Sequence, residues 1–349
     1  MRKRKNLERA IILGVILSTG VYGSAWAKHW IAPVYAPGDS YTILPAEVWD
    51  SDVEIENVTS STLGVQYGIW AYSTLLSGAY VTTDNIDKLT IKVSASNNAN
   101  VVTGIYAGRL NGVGKTDRSS TININLSDKL YIETLSKTGI DNYAIGTNVS
   151  GNVIKLGASD IVATAKKTYA DKKDGETYAV ANSDGSINLT ATGKIQLTSE
   201  SASGDAYGFD SWNPVENNVK GATIYISATA ENGNAYATKI NADDATKGIN
   251  NRFESSYNKF TANSTNGEAY ALLAEKGTKV DIIGSTDKNA IANYFESNKT
   301  GVKLTEGSVL NATGNTIIKG TENGLIISGN GTSTTADGDE IYQVVVDGD

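Results

Sequence analysis

The 349-residue chain contains no cysteine, one methionine, one histidine and four prolines. Without cysteine it can form neither a disulfide nor a thiol nucleophile, so its stability has to come from backbone pairing and packing. The lone histidine leaves no His/Cys zinc set and a single candidate base for a serine hydrolase. It is His29, and we expect no triad between it and the nearby Gly38-Asp39-Ser40.

Positive charge is also scarce, with 30 Lys and Arg against 38 Asp and Glu and a net charge of −8. The acids are scattered along the chain, which is typical of a solvated surface rather than a site. Such a surface repels nucleic acid and anionic lipid, so we expect no nucleic-acid partner.

The N-terminus has the three parts of a secretion signal. Arg2-Lys3-Arg4-Lys5 is basic, residues 10–23 are apolar, and Ala25-Trp26-Ala27 matches an A-x-A cleavage site. This predicts a signal peptide over residues 1–27, cleaved between Ala27 and Lys28, and a mature net charge of −12. An uncleaved anchor is the alternative, but 14 apolar residues fall short of the roughly 20 that span a bilayer.

The most informative positive feature is a repeated phrase in which an aromatic residue, or Thr103 in one copy, precedes Gly or Ala. The small residue of the phrase falls at positions 68, 104, 144, 179, 208, 237 and 271. These spacings of 29 to 40 residues are typical of a solenoid or another repeat array.

Each repeat contains three short alternating runs, as in Tyr178–Ala181, Ile187–Ala191 and Lys194–Thr198. Period-2 alternation bounded by Gly, Asn, Asp and Ser predicts strands, and three strands make one coil of a parallel β-helix. We therefore predict an all-β chain that folds as a parallel β-helix. A propeller or sandwich is the alternative, but blades need four strands and a more even period.

Two interpretations are open for the repeated tyrosines. Tyr207 and Phe209 are two positions apart, so strict alternation predicts that both point inward, with Gly208 outward or at a corner. Stacked coils would then form an interior tyrosine column. The alternative is an exposed sugar-binding ladder.

The mature chain divides into two parts. Residues 28–52 hold three of the four prolines and lack the phrase, which favours a leader and N-terminal cap. Residues 53–349 are predicted to be β-helix repeats, less regular after about residue 284.

An enzyme of the polysaccharide lyase or hydrolase type is the main catalytic alternative. The mature chain has only Arg109, Arg118 and Arg252 as arginines. Its acids, such as Asp184, Asp210, Asp281 and the pair Asp243-Asp244, stand at dissimilar points of their repeats. We predict no enzyme and no catalytic, cofactor-binding or metal-binding residues.

A basic signal peptide followed by phrases such as Tyr67-Gly68-Ile69-Trp70-Ala71 and Ile-x-Ile strands resembles the passenger of a Gram-negative autotransporter. The resemblance covers about residues 53–330 and implies a pectin-lyase-like, right-handed parallel β-helix displayed outside the cell by a C-terminal barrel. The sequence departs from the family because it contains no barrel segment, which leaves open a truncated passenger or a free secreted β-helix. The family implies an outer-membrane location through that missing barrel.

These observations predict an exported surface protein that is adhesin-like or structural and non-catalytic. The expected partner is a host or cell-surface glycan or protein, together with an outer-membrane barrel if a longer parent chain exists. The alternative function is a secreted glycan-binding or polysaccharide-degrading β-helix.

Overall fold

The computed structural model describes residues 29–38, 40–44, 52–57, 65–73, 77–95, 101–110, 119–137, 141–168, 175–243, 251–329, 333–335 and 344–347. Within these ranges the chain forms 31 β-strands arranged in three sheets, and consecutive strands belong to sheets A, B and C in turn. Every strand pairs in parallel with the strand three places along the chain. The chain is therefore a parallel β-helix with three strands per coil, as the sequence predicts.

Strands are numbered in chain order. Sheet A contains β1 (His29–Ile31), β4 (Asp52–Asn57), β7 (Lys88–Ala95), β10 (Lys129–Ser136), β13 (Asp160–Lys167), β16 (Lys194–Ser201), β19 (Thr223–Ala230), β22 (Tyr257–Ser264), β25 (Ile291–Ser297), β28 (Asn315–Gly320) and β31 (Val344–Asp347). Sheet B contains β2 (Val34–Pro37), β5 (Val65–Tyr72), β8 (Val101–Ala107), β11 (Asp141–Asn148), β14 (Thr177–Ser183), β17 (Ala206–Trp212), β20 (Ala235–Asn241), β23 (Ala269–Ala274), β26 (Thr300–Thr305) and β29 (Asn323–Ser328). Sheet C contains β3 (Ser40–Ile43), β6 (Ala79–Thr83), β9 (Ser120–Asn125), β12 (Val153–Ala158), β15 (Ser186–Ala191), β18 (Glu216–Lys220), β21 (Asn251–Glu254), β24 (Lys279–Ile283), β27 (Val309–Thr313) and β30 (Ser333–Thr335).

The core lies inside the coils and follows from the alternation of apolar and polar residues. In β16, Ile195 and Leu197 are fully buried, whereas Lys194 and Gln196 on the opposite face are half-exposed. The inward residues of all three sheets form one continuous apolar cluster along the solenoid. Burying each large aliphatic side chain contributes about 1.5–3 kcal/mol, and only stacked coils can provide that burial.

The alternation breaks at the small residue of the repeated phrase in sheet B. Ala179 and the following Val180 both lie fully buried in the interior cluster. A Cβ atom on Gly208, the equivalent residue of the next coil, would lie 2.6 Å from the Ile226 side chain, which confirms that this position faces inward. In the pairing of β14 with β17, Tyr178 pairs with Tyr207 and Val180 with Phe209, and the two residues between them are not paired.

This break corrects the predicted direction of the tyrosines. Because two consecutive residues face inward, the tyrosine before them lies on the outer face of sheet B, in a cluster separate from the core. Strict alternation therefore assigns Tyr207 to the wrong face, and Gly208 points into the interior instead of outward. The prediction that the rings stack between coils is confirmed.

The two ends of the solenoid continue the same pattern. Within the segment 28–52, β1, β2 and β3 pair with β4, β5 and β6 and so form the first described coil. Beyond residue 284, β25 to β31 remain in the three sheets, with one register shift between Ile291 and Asn293. Gly301 and Gly324 occupy the small-residue position there, after Thr300 and Asn323 in place of tyrosine. The right-handed sense stays a prediction from the general rule for parallel crossovers.

Candidate functional site

The outer face of sheet B carries five stacked phenol rings, which we call the tyrosine ladder. Its members are Tyr143, Tyr178, Tyr207, Tyr236 and Tyr270, one from each of five consecutive coils. Neighbouring ring centroids are 4.7 to 5.7 Å apart and the ring planes differ by at most 11°. The first three separations match the spacing of parallel strands, about 4.8 Å, because each ring sits at the same register position.

Carboxylates line one edge of the ladder, two residues before each tyrosine in four of the five coils. The Tyr207 hydroxyl donates to Asp205 at 3.1 Å and the Tyr270 hydroxyl donates to Glu268 at 3.3 Å. Tyr178 donates to Glu176 in the same way. Burial, followed by these nearby carboxylates, raises the pKa of Tyr270 to about 12 and raises the pKa of Tyr207 further. The phenols are therefore neutral at physiological pH.

One charged pair lies beside the ladder, three residues after Tyr207 and Tyr236. Asp210 pairs in register with Lys239, whose ammonium lies 5.5 Å from the Tyr207 ring centroid and 4.9 Å from that of Tyr236. Burial raises the pKa of Asp210 to about 7, and Lys239 opposes that rise without cancelling it. The cation supports the ladder by covering its rings.

The ladder is a packing device more than a binding platform. Tyr178, Tyr207, Tyr236 and Tyr270 are each between 5% and 9% exposed. A sugar stacks on a free ring face, and here each inner ring gives both faces to its neighbours. The stacked rings therefore stabilise sheet B. Open grooves lie on sheets A and C.

Sheet A has an open groove of about 570 Å³, which we call the sheet A groove. Its lining comprises Lys194, Gln196, Thr198, Tyr225, Ile226, Ser227, Lys259 and Thr261. Tyr225, 38% exposed, stands between Gln196 and Lys259 in register. A parallel column of hydroxyls runs beside it through Thr198, Ser227 and Thr261, with Ser227 donating to Thr198 at 3.3 Å. The groove combines one exposed aromatic ring with amide, hydroxyl and ammonium groups.

Sheet C has a second groove of about 480 Å³, which we call the sheet C groove. It crosses β9, β12 and β15, and Lys155 stands in register between Asn123 and Asn188. Hydroxyl groups of Thr190 and Thr192 also line it. Amide and hydroxyl groups therefore surround one cation in this groove, next to apolar lining residues such as Leu126 and Leu156.

The structure distributes the residues weighed for catalysis over separate places. Asp184 follows β14 in a turn, with a positive φ of 61°, whereas Asp210 lies in sheet B and Asp281 in sheet C. His29 begins β1, and the predicted cleavage site Ala27-Lys28 lies outside the described residues. Arg118, Asp39 and Asp244 also lie outside them. In the part of the chain that the structure describes, no three His, Cys, Asp or Glu residues group as metal ligands.

Both grooves were missed by the sequence analysis, although part of their signal is present in the sequence. Alternation in Thr121–Asn125 and Val153–Ala158 assigns the asparagines and Lys155 to the outer face. Their meeting in one groove depends on the register between coils, which the variable loop lengths hide.

Over the described ranges, no helix is long and apolar enough to cross a membrane. Comparisons with protein-family models, curated proteins and solved structures gave no match to this chain, so similarity assigns it no family.

Proposed function

We propose that this chain is an exported, non-catalytic surface protein of the autotransporter-passenger type, adhesin-like, and that it binds a glycan in the sheet A groove. The observation that carries the binding role is Tyr225, an exposed ring between hydrogen-bonding side chains on a rigid sheet face. The signal-like N-terminus and the cysteine-free solenoid support export.

The chemistry of the sheet A groove suits a saccharide. A sugar ring has an apolar C–H face that packs on an aromatic ring, and a rim of hydroxyls that both donate and accept hydrogen bonds. Gln196 and Lys259 flank Tyr225 on the neighbouring coils and can reach that rim. Few polar groups placed around an apolar contact are typical of ligand sites.

The rigidity of the sheet supports the same role. Each strand of the groove is paired on both sides over most of its length, so the backbone holds the side chains at fixed spacing before a ligand arrives. Preorganised side chains lose less conformational entropy on binding. An extended glycan can then contact several coils at once along the solenoid.

The binding role is tested with the mature protein on an array of soluble oligosaccharides, followed by calorimetry on the best hits. We expect Tyr225→Ala to weaken binding about tenfold or more, with an unchanged unfolding midpoint. Tyr41→Ala is the matched control, because Tyr41 is 42% exposed but lies in the first coil. Equal loss in both variants, or shortened oligosaccharides after incubation, would contradict the proposed function.

Export is tested separately by N-terminal sequencing of protein secreted from a Gram-negative host. We expect the first residue to be Lys28, with the signal removed after Ala27. Recovery of an intact Met1 in the membrane fraction would instead support an anchored protein.

A further inference from the structure

The sheet C groove owes its depth to a missing side chain. Gly157 stands in register between Asn125 and Thr190, so the column of outward side chains is interrupted at its centre. A Cβ atom there would lie 2.7 Å from the Asn125 Oδ1 atom. The gap makes a notch in an otherwise flat sheet face.

The charge of this groove is opposite to that of the chain. Its lining contains one ammonium, from Lys155, and no carboxylate, whereas the whole chain has a net charge of −8. Among the described residues, no carboxylate lies within ion-pair distance of Lys155, which is exposed. By contrast, five other outward lysines of the solenoid pair with acids: Lys88 with Asp52, Lys166 with Glu200, Lys220 with Glu254, Lys279 with Asp281 and Lys299 with Glu322.

Amide side chains flank Lys155 on both sides of β12. Asn123 pairs in register with Lys155 from β9, and Asn188 pairs with it from β15. An amide both donates and accepts hydrogen bonds, so these two side chains can bind hydroxyl groups of a ligand held by the ammonium.

From these observations we propose that the sheet C groove binds a carboxylate-bearing saccharide, such as a uronic or sialic acid unit. Lys155 binds the carboxylate, and the flanking Asn123 and Asn188 amides with the Thr190 hydroxyl bind ring hydroxyls. This assignment rests on the proposed glycan-binding function and adds a second groove with its own ligand class.

The same features disfavour other anions. A nucleic acid or a heavily sulfated chain gains affinity from several cations in a row, and a single lysine on an acidic solenoid supplies only one. Amide and hydroxyl groups match the neutral hydroxyls of a sugar, and one ammonium matches one carboxylate. Because the notch at Gly157 lies beside a single cation on the same strand, we expect one acidic unit to bind per groove.

The test compares a galacturonate oligosaccharide with its carboxyl-reduced, neutral counterpart by calorimetry on the mature protein. We expect the acidic form to bind about tenfold more tightly at low salt, with the difference shrinking as salt rises. Lys155→Gln should abolish that preference. Lys279→Gln, the same charge change on another coil of sheet C, should preserve it.

A second variant tests the notch without changing charge. Gly157→Thr places a β-branched residue like the neighbouring Thr190 in the gap, and the exposed Asn125 side chain can move aside. We expect the unfolding midpoint to be retained and binding of the acidic oligosaccharide to fall about tenfold.

Five outcomes overturn the assignment. Equal affinity for the acidic and neutral oligosaccharides rejects it, as does equal behaviour of Lys155→Gln and Lys279→Gln. Unchanged binding by Gly157→Thr rejects the groove as the location. If neutral glycans bind and only Tyr225→Ala abolishes binding, the sheet A groove stands and this second site fails. Absence of any saccharide binding rejects both.

Discussion

The interior of the solenoid and the outer face of sheet B are both closed to solvent, but they achieve this in different ways. In the interior, the position after the small residue holds Ile145, Val180, Phe209, Thr238 and Leu272 in five successive coils, all buried. On the outer face, the same five coils present tyrosine every time. Three sheets fill the interior together, so its side chains can vary, whereas the outer ladder has no opposite wall and depends on identical rings covering one another.

The end of the ladder supports this comparison. In β8 the tyrosine is replaced by Thr103, and Tyr106 from three residues later fills the space, with its ring centroid 5.5 Å from that of Tyr143. Gly146 makes this possible, because a Cβ atom there would lie 2.5 Å from the Tyr106 ring. A gap in a one-walled ladder thus requires another aromatic residue and a glycine beside it.

The strongest way to break the interior is to place a charge in it. Ile226 is 1% exposed and packs in the interior cluster. We expect Ile226→Asp to lower the free energy of unfolding by about 4 kcal/mol or more, since it removes a large apolar side chain and buries an unpaired carboxylate.

The matched control lies on the other face of the same strand. Thr223→Asp introduces the same carboxylate beside Lys194 and should change stability by at most about 0.5 kcal/mol. Urea denaturation of both variants compares them directly, and equal midpoints would show that the register of β19 is wrong.

The next largest effect should come from opening the ladder. Tyr207 stacks on Tyr178 at 4.7 Å and on Tyr236 at 5.0 Å. We expect Tyr207→Ala to cost about 3 kcal/mol, within the range for deleting a buried aromatic ring. Because the two rings share a contact, Tyr207→Ala and Tyr236→Ala should be non-additive in a double-mutant cycle. Single losses below about 1 kcal/mol would mean that the rings are ordinary surface groups.

These two predictions mark what the sequence could and could not determine. The spacing of the phrase and the period-2 runs suffice for three parallel strands per coil and for stacking of Tyr178 on Tyr207. The direction of the rings could not be predicted from the sequence. Ala179 and Val180 both face inward, whereas strict alternation never places two consecutive residues on the same face. The packing between sheets reveals it, through the burial of Ala179 in the interior cluster and the close approach of Gly208 to Ile226.

The binding surfaces were harder to predict for a related reason. Lys155 and Gly157 look ordinary within their own strand, and the groove exists because Asn125, Gly157 and Thr190 meet in register. Residues 29–43 illustrate the same limit. Their prolines argue against strands, yet the segment forms β1, β2 and β3, one in each sheet. Local patterns determine strands, and contacts between coils determine sites.

A pH dependence should report on Asp210, which lies at the edge of the ladder. Burial raises the pKa of Asp210 to about 7, against about 4 for an unfolded aspartate. The folded protein therefore binds an extra proton between these values, so its free energy of unfolding falls as pH rises from about 4 to 7.

Asp210→Asn should remove that fall. Allowing for the partial exposure of Asp210, we expect the stability difference between wild type and variant to change by about 1–2 kcal/mol between pH 4 and pH 8. Denaturation midpoints at several pH values measure it. Parallel curves for the two proteins would show that Asp210 is not the titrating group.

The smallest expected effect separates ring stacking from the hydroxyl bonds at the ladder's edge. Tyr207→Phe keeps the ring but removes its hydrogen bond to Asp205, which should cost about 1 kcal/mol. Asp205 would still accept from the Asn234 backbone and side chain, so no buried acceptor is orphaned.

Tyr236 has Asn234, not a carboxylate, two residues earlier, and Tyr236→Phe should therefore be nearly neutral. Both variants should retain most of the stability that Tyr207→Ala loses, because the rings still cover one another. If Tyr207→Phe is as destabilising as Tyr207→Ala, the hydroxyl–carboxylate pairs hold the outer face together, and the contrast with the interior rests on polar bonds instead of stacked rings.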